Sequence, residues 1–393
     1  MRLNSREFGR RRQNLDVCVT RAALAVLQRA AGLNSFPGAA TIRAMPDYFR
    51  PNIAAMHGYI PGEQPRDDGY IKLNTNENPY PPSPRVLAAL RKAINPSLRL
   101  YPEPLSDGLR AVAASVYGVE PENIIAGNGS DELLSMLMRS FIGPGDRVAF
   151  PSPTYSLYET LIEIQGGEKA EVEYPAKFSV PEALAAQNAP LTFLCNPNSP
   201  TGTLVPLPEI DRLARAVSGI LVVDEAYVDF ADGEGASALP LIRQLPNLVV
   251  LRTFSKSFSL AGMRIGLAFA AEEIIAGMMK VKDSYNLNRL SLVAATAALQ
   301  DLKWMARNVR RIQKSRRKLI AGAKKMGFQV LPSQANFVLV RKPGENLRGV
   351  YEALKRNKIL VRYFDVPGLH ECLRITVGTA REIAALLSAL AAP

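Results

Sequence analysis

The stretch NLVVLRTFSKSFSLAGMRIGLAFA (247–270) decides how the rest of the chain is read. NLVVL at its start and GLAFA at its end (266–270) read as buried strands. Between them Lys256 sits between Ser255 and Ser257, just past the first strand, and Arg264 follows eight positions on. An ammonium there costs desolvation energy unless it is paired or converted. An amine held in a covalent bond meets that condition.

Outward from this segment the pattern recurs. NIIAG (123–127), RVAF (147–150), LTFLC (191–195) and GILVV (219–223) are further strand candidates, with helical stretches at 131–141, 155–164 and 208–217. Continuous apolar strands separated by helices predict an α/β fold with a mostly parallel sheet covered on both faces. The C-terminal third changes character: a helix-rich zone (272–327) leads to NFVLV (336–340), a helix near 346–357, ILVRYF (359–364) and LRITVG (373–378). This predicts a smaller α+β domain with an antiparallel sheet. In the helical stretch 306–327, Val309, Ile312, Leu319 and Ala323 keep helical spacing, which places the charges on solvated faces. The expected divisions are a basic extension (1–44), an arm with part of the small domain (45–91), a large domain (92–285) and a C-terminal small domain (286–393).

Composition bounds the function. The 393 residues are 47% hydrophobic and 21% charged, as in ordinary globular proteins. No apolar run approaches the ~20 residues of a membrane helix. Cys18, Cys195 and Cys372 are odd in number and widely spaced, which argues for a reducing, cytoplasmic setting. Two histidines, His57 and His370, without CxxC or HExxH spacing, predict no metal. Of the +12 net charge, residues 1–44 carry half, with eight arginines against Glu7 and Asp16. That arm fits a transit peptide, a poor signal peptide or an extension ahead of a start at Met45. No reader motif accompanies the positive charge, so no nucleic-acid partner is predicted.

Ligands of open α/β sheets bind outside the carboxyl ends of the strands. There LTFLC is followed by NPNSPTG, GILVV by DEAY, NLVVLRTF by SK and NIIAG by NGSDE. Together they fit pyridoxal 5'-phosphate (PLP). Lys256 would hold the cofactor aldehyde as an imine and serve as the base after its release. Asp224 would pair with the pyridinium nitrogen, and Tyr227 would reach the phenolic oxygen. Gly129, Ser130 and Asp131 open a helix whose N–H groups favour the phosphate. Ser255 and Arg264 would add contacts to that phosphate, and Tyr155 would cover the ring.

The order of GYIPG (58–62), LNTNENPY (73–80), LYPEP (100–104), NGSDE (128–132), PNSPTG (197–202), VVDEAY (222–227), TFSKSFSLAGMRIG (253–266) and LRITVG (373–378) resembles the fold-type I PLP-dependent aminotransferases, nearest their histidinol-phosphate branch. The resemblance runs from about residue 57 to residue 379. It implies that Tyr101 reaches the cofactor phosphate of a neighbouring subunit in a homodimer with shared sites. It also implies that Arg374 grips the substrate's anionic end, Arg362 adds a second contact, and Tyr59 closes over the substrate with Asn78 nearby. One departure stands out. The family has asparagine immediately before PTG; here that position is Ser199, with Asn198 one residue earlier, so either is a candidate for the phenolic oxygen.

The implied reaction moves the amino group of histidinol phosphate to 2-oxoglutarate in histidine biosynthesis. A phosphothreonine decarboxylase, an aromatic or other amino-acid transaminase, and a non-catalytic regulator bound to nucleic acid stay open alternatives.

Overall fold

Seven strands carry the centre of the molecule, which is described by a computed structural model over residues 48–391 apart from 60, 66 and 367. The basic extension 1–44 and Cys18 lie outside the described residues. After a short strand β1 (Ile71–Lys72) come β2 (Ile124–Gly127), β3 (Arg147–Ser152), β4 (Glu168–Glu173), β5 (Leu191–Cys195), β6 (Ile220–Asp224), β7 (Leu248–Thr253) and β8 (Gly266–Phe269). β2 to β8 form one sheet in the order β2-β8-β7-β6-β5-β3-β4. β2, β5, β7 and β8 are buried at every residue, and helices such as Ser130–Phe141 and Leu207–Ala216 follow the strands. Burying each of Phe150, Phe193 and Phe269 contributes roughly 1.5–3 kcal/mol.

β4 was not foreseen, because EKAEVE buries only Ala170. It is an edge strand, and its charges discourage pairing with another chain.

Only β8 runs against its neighbours, pairing antiparallel with both β2 and β7. This places the amino end of β8 beside the carboxyl ends of β2 and β7: Gly266 faces Gly127 on one side and Thr253 on the other. A Cβ on Gly266 would lie 2.7 Å from the backbone nitrogen of Ser130, so only glycine lets the two backbones approach.

The C-terminal part adds β9 (Gln329–Val330), β10 (Phe337–Arg341), β11 (Ile359–Leu360), β12 (Arg362–Tyr363) and β13 (Cys372–Thr376). Four of them form an antiparallel sheet, β12-β13-β10-β9, while β1 pairs parallel with β11. The expected run 359–364 is thus two strands in different sheets. The segment after β1 ties this part to the large sheet. The N–H of Thr376 donates to the carbonyl of Leu73 (2.9 Å), and the Asn78 amide donates to the carbonyls of Lys256 and Ser257 at 3.1 and 3.2 Å.

The long helix Leu302–Lys325 buries Val309, Ile312, Leu319 and Ala323 as its spacing requires. One charge departs from expectation. Arg316 is 1% exposed; its guanidinium donates to the carbonyls of Phe230 and Ala335 (2.9 Å each) and to Asp232 (2.7 Å). Helical periodicity cannot reveal this, because the partners come from distant loops. Among the described residues no helix is long and apolar enough to cross a membrane, and Cys195 and Cys372 are buried free thiols.

Candidate active site

The carboxyl ends of β5, β6 and β7 lie side by side, with Cys195 paired to Asp224 and Asp224 to Leu251. The residues that follow them enclose a chamber of about 350 Å³, lined among others by Ser130, Asp131, Tyr155, Ser199, Asp224, Tyr227, Ser255, Lys256 and Arg264. A second chamber of about 200 Å³ shares Tyr155, Ser199, Tyr227 and Lys256, and adds Tyr59, Arg362 and Arg374.

Lys256 lines both chambers. Burial, reinforced by the nearby charge of Arg374, lowers its amine to about 8. Its Nζ donates to the carbonyl of Thr75 at 3.4 Å and lies 5.8 Å from the centre of the Tyr227 ring. Asp224 is 3% exposed, and burial raises its carboxyl to about 6. It accepts from the Tyr158 hydroxyl (3.0 Å) and the N–H of Ala226 (3.1 Å). No cation bonds to it among the described residues, so a buried carboxylate faces the chamber ready for a positively charged N–H.

Opposite, the helix Ser130–Phe141 starts at Gly129, whose φ of 81° needs glycine. A Cβ there would lie 2.6 Å from Arg264 Nη2. That guanidinium donates to Asp131 Oδ2 at 2.8 Å, and Asp131 Oδ1 accepts from the Tyr155 hydroxyl at 3.4 Å. The N–H groups of Ser130 and Asp131 at the helix start, Arg264 and the hydroxyls of Ser130 and Ser255 form a cradle for an anion, while the N–H of Gly129 is taken by the carbonyl of Gly127 (2.9 Å). Tyr155 packs edge-on against Tyr59 and Tyr158, with centroids 6.2 and 5.6 Å away.

Ser199 and Asn198 separate cleanly. The Asn198 side chain is used up inside its loop, accepting from Thr154 (3.0 Å) and donating to the Pro153 carbonyl (3.0 Å) and Thr201 (2.9 Å). Ser199 lines both chambers, and its Oγ accepts from Arg374 Nη1 at 3.1 Å. Arg374 also donates to the carbonyl of Asn74 at 3.0 Å, while its buried Nε has no partner.

Four expected residues line neither chamber: Gly129 and Asn198, which shape the wall from behind, and Asn78 and Tyr101. Asn78 holds the backbone of the lysine loop, as described above. Tyr101 is 77% exposed and stacks on Tyr285 at 4.4 Å, beside an open groove containing Arg289 and Leu290. Sequence reasoning missed Asn76, whose amide donates to the Tyr227 hydroxyl (3.1 Å), and Tyr158 under Asp224. Tyr158 stands three residues after Tyr155 at a helix start, a spacing that puts both on one side.

The family described as "Aminotransferase class I and II" matches residues 68–390. A curated histidinol-phosphate aminotransferase 1 of Trichormus variabilis is 45% identical over 348 residues, covering 88% of this chain and 99% of that protein. A histidinol-phosphate aminotransferase of Citrifermentans bemidjiense is 48% identical, covering 87% and 97%. The crystal structure of histidinol-phosphate aminotransferase from Sinorhizobium meliloti in complex with PLP superposes with a TM-score of 0.80 at 30% identity, covering 88% of this chain and 96% of that one.

Proposed function

The chain belongs to the class I and II aminotransferases, and from that premise we propose that it uses PLP to move the amino group of L-histidinol phosphate to 2-oxoglutarate. The products are imidazole-acetol phosphate and glutamate, in histidine biosynthesis. The observation that carries the substrate is the pair Arg362 and Arg374, directly opposed on β12 and β13 and both lining the chamber beside Lys256. A planar guanidinium bonds a carboxylate or a phosphate equally well, so one anchor serves both substrates. The second arginine adds charge for the phosphate.

The chamber suits the cofactor. PLP, when bound, supplies an aldehyde that captures amines and a ring that accepts electrons. Lys256 would hold the aldehyde carbon; burial lowers its pKa, which favours the neutral amine that takes a proton once free. Asp224 would hold the pyridinium N–H, for which a buried carboxylate without a cationic partner is suited. Ser130, Ser255 and Arg264 would bind the phosphate, with Gly129 leaving room for the Arg264 guanidinium. Asp131 would contribute its N–H, since its carboxylate is occupied by Arg264 and Tyr155. Tyr155 would cover the ring, and Tyr227 and Ser199 would face the phenolic oxygen, with Asn198 shaping the loop beneath. Tyr59 would close over the substrate. In this reading 92–285 carries the cofactor and 286–393 the anion grip.

Tyr101 serves this chemistry only in a homodimer, reaching the partner's phosphate; exposed Leu98, Leu100 and Leu105 around it support that contact. Buried free thiols support a reducing cytoplasm.

The test is the protein purified with PLP. It should be yellow, bleach on adding glutamate, and form glutamate from histidinol phosphate and 2-oxoglutarate, while Lys256→Ala does none of these. No glutamate above background overturns the reading, and release of CO2 instead marks a decarboxylase.

A further inference from the structure

We propose that Asn76 is a positioning residue that fixes the direction of the Tyr227 hydroxyl, so that its hydrogen is given into the cofactor chamber. This rests on the reading of that chamber as a PLP site.

The argument is one of donors and acceptors. Asn76 is 1% exposed and sits in the left-handed region with φ 57°. Its N–H donates to Thr376 Oγ1 at 2.9 Å, and the Thr376 hydroxyl donates back to Asn76 Oδ1 at 3.1 Å. Its carbonyl accepts from Asn336 Nδ2 at 2.9 Å. The oxygen side of the Asn76 amide is thus committed to Thr376, and only the –NH2 side meets the Tyr227 oxygen, at 3.1 Å. An amide nitrogen only donates. Tyr227 must therefore accept from it and give its own hydrogen elsewhere. No acceptor for that hydrogen exists among the described residues.

The Tyr227 ring is held edge-on by Phe337, with centroids 4.9 Å apart, and lines the chamber beside Lys256. A donor delivered there favours the ionised form of the phenolic oxygen of PLP. Thr376 lies two residues from Arg374 on β13. The ordered donors therefore run from the strand that grips the anion to the cofactor.

The test is the pH midpoint of the visible band of the PLP-loaded protein. Asn76→Asp keeps the size and tolerates the left-handed backbone, but it presents an acceptor that takes the Tyr227 hydrogen. Tyr227→Phe and Asn76→Asp should each raise the midpoint by about half a pH unit or more. The new carboxylate also acts through its charge, so the decisive comparison is made without the hydroxyl. In a Tyr227→Phe background the Asn76→Asp shift should fall to less than half. Thr376→Val, which adds no charge and frees the Asn76 amide, should raise the midpoint by less and lose its effect in the same background. It decides the matter if Asn76→Asp does not fold. Shifts that are equal with and without the Tyr227 hydroxyl, or absent from both variants, overturn the proposal. A wild-type protein that stays colourless with PLP overturns the cofactor reading, and this proposal with it.

Discussion

Arg362 and Arg374 face each other as directly paired residues of two antiparallel strands, and both side chains line the same chamber. Like charges in that register destabilise a sheet. Burial and the charge of Arg362 also lower the pKa of Arg374. The arrangement is resolved when an anion lies between them. Arg374→Ala is expected to lower kcat/KM for glutamate and for histidinol phosphate alike, by about 10²–10³-fold. Arg362→Ala should act mainly on the phosphate substrate. Steady-state kinetics with both amino donors check this; an Arg362→Ala penalty equal for the two donors contradicts it.

Asp224 makes the cofactor-free protein sensitive to pH. Its carboxyl is raised to about 6 by burial, above its ordinary value near 3.9. The protonated native form is thus favoured below pH 4, and that advantage disappears as pH climbs through 6. The loss is about 2–3 kcal/mol by pH 7.5. Asp224→Asn should therefore stabilise the cofactor-free protein at pH 7.5 and not at pH 4, while weakening activity of the loaded enzyme. Thermal melts of both proteins at the two pH values decide; an unchanged difference between them speaks against the buried charge.

Asn198 and Ser199 should respond oppositely to truncation. Asn198→Ala breaks three hydrogen bonds inside a buried loop, at a cost of about 1–3 kcal/mol in stability. Ser199→Ala removes an acceptor for Arg374 and a chamber hydroxyl, so it should change KM and the pH profile while the melting temperature stays within a degree or two. A reversed pattern would reassign the two residues.

Arg316 should prove structural. Its guanidinium satisfies two buried carbonyls and pairs with the half-exposed Asp232. Arg316→Leu leaves the Ala335 carbonyl unpaired and the Phe230 carbonyl with only the Gln313 amide (3.3 Å), and should cost about 2–4 kcal/mol. Denaturant midpoints measure this, and a neutral result would show that water replaces the guanidinium.

What could be read from the residues in order was local and periodic. Buried strands announce themselves as apolar runs, so β5 was foreseen at Leu191–Cys195 and β6 and β7 within a residue or two. Their polar successors marked Asp224, Tyr227 and Lys256 as neighbours at one sheet edge, because parallel strands share a carboxyl edge. The antiparallel turn of β8, which carries Arg264 to that edge, left no trace in its composition. Neither did the fact that Ser199 lines the chamber and Asn198 does not, which depends on where Thr154 and Arg374 arrive from other elements.

The chain's order of apolar and polar residues thus set the sheet, its site-bearing edge and the amine chemistry there, since burial of strands and the chemistry of a lysine are properties of short segments. Tertiary packing alone set which side chains turn inward, that Asn78 braces the lysine loop, and that Asn76 meets Tyr227. Those outcomes depend on hydrogen-bond partners 151 to 300 positions apart, whose meeting no short segment encodes.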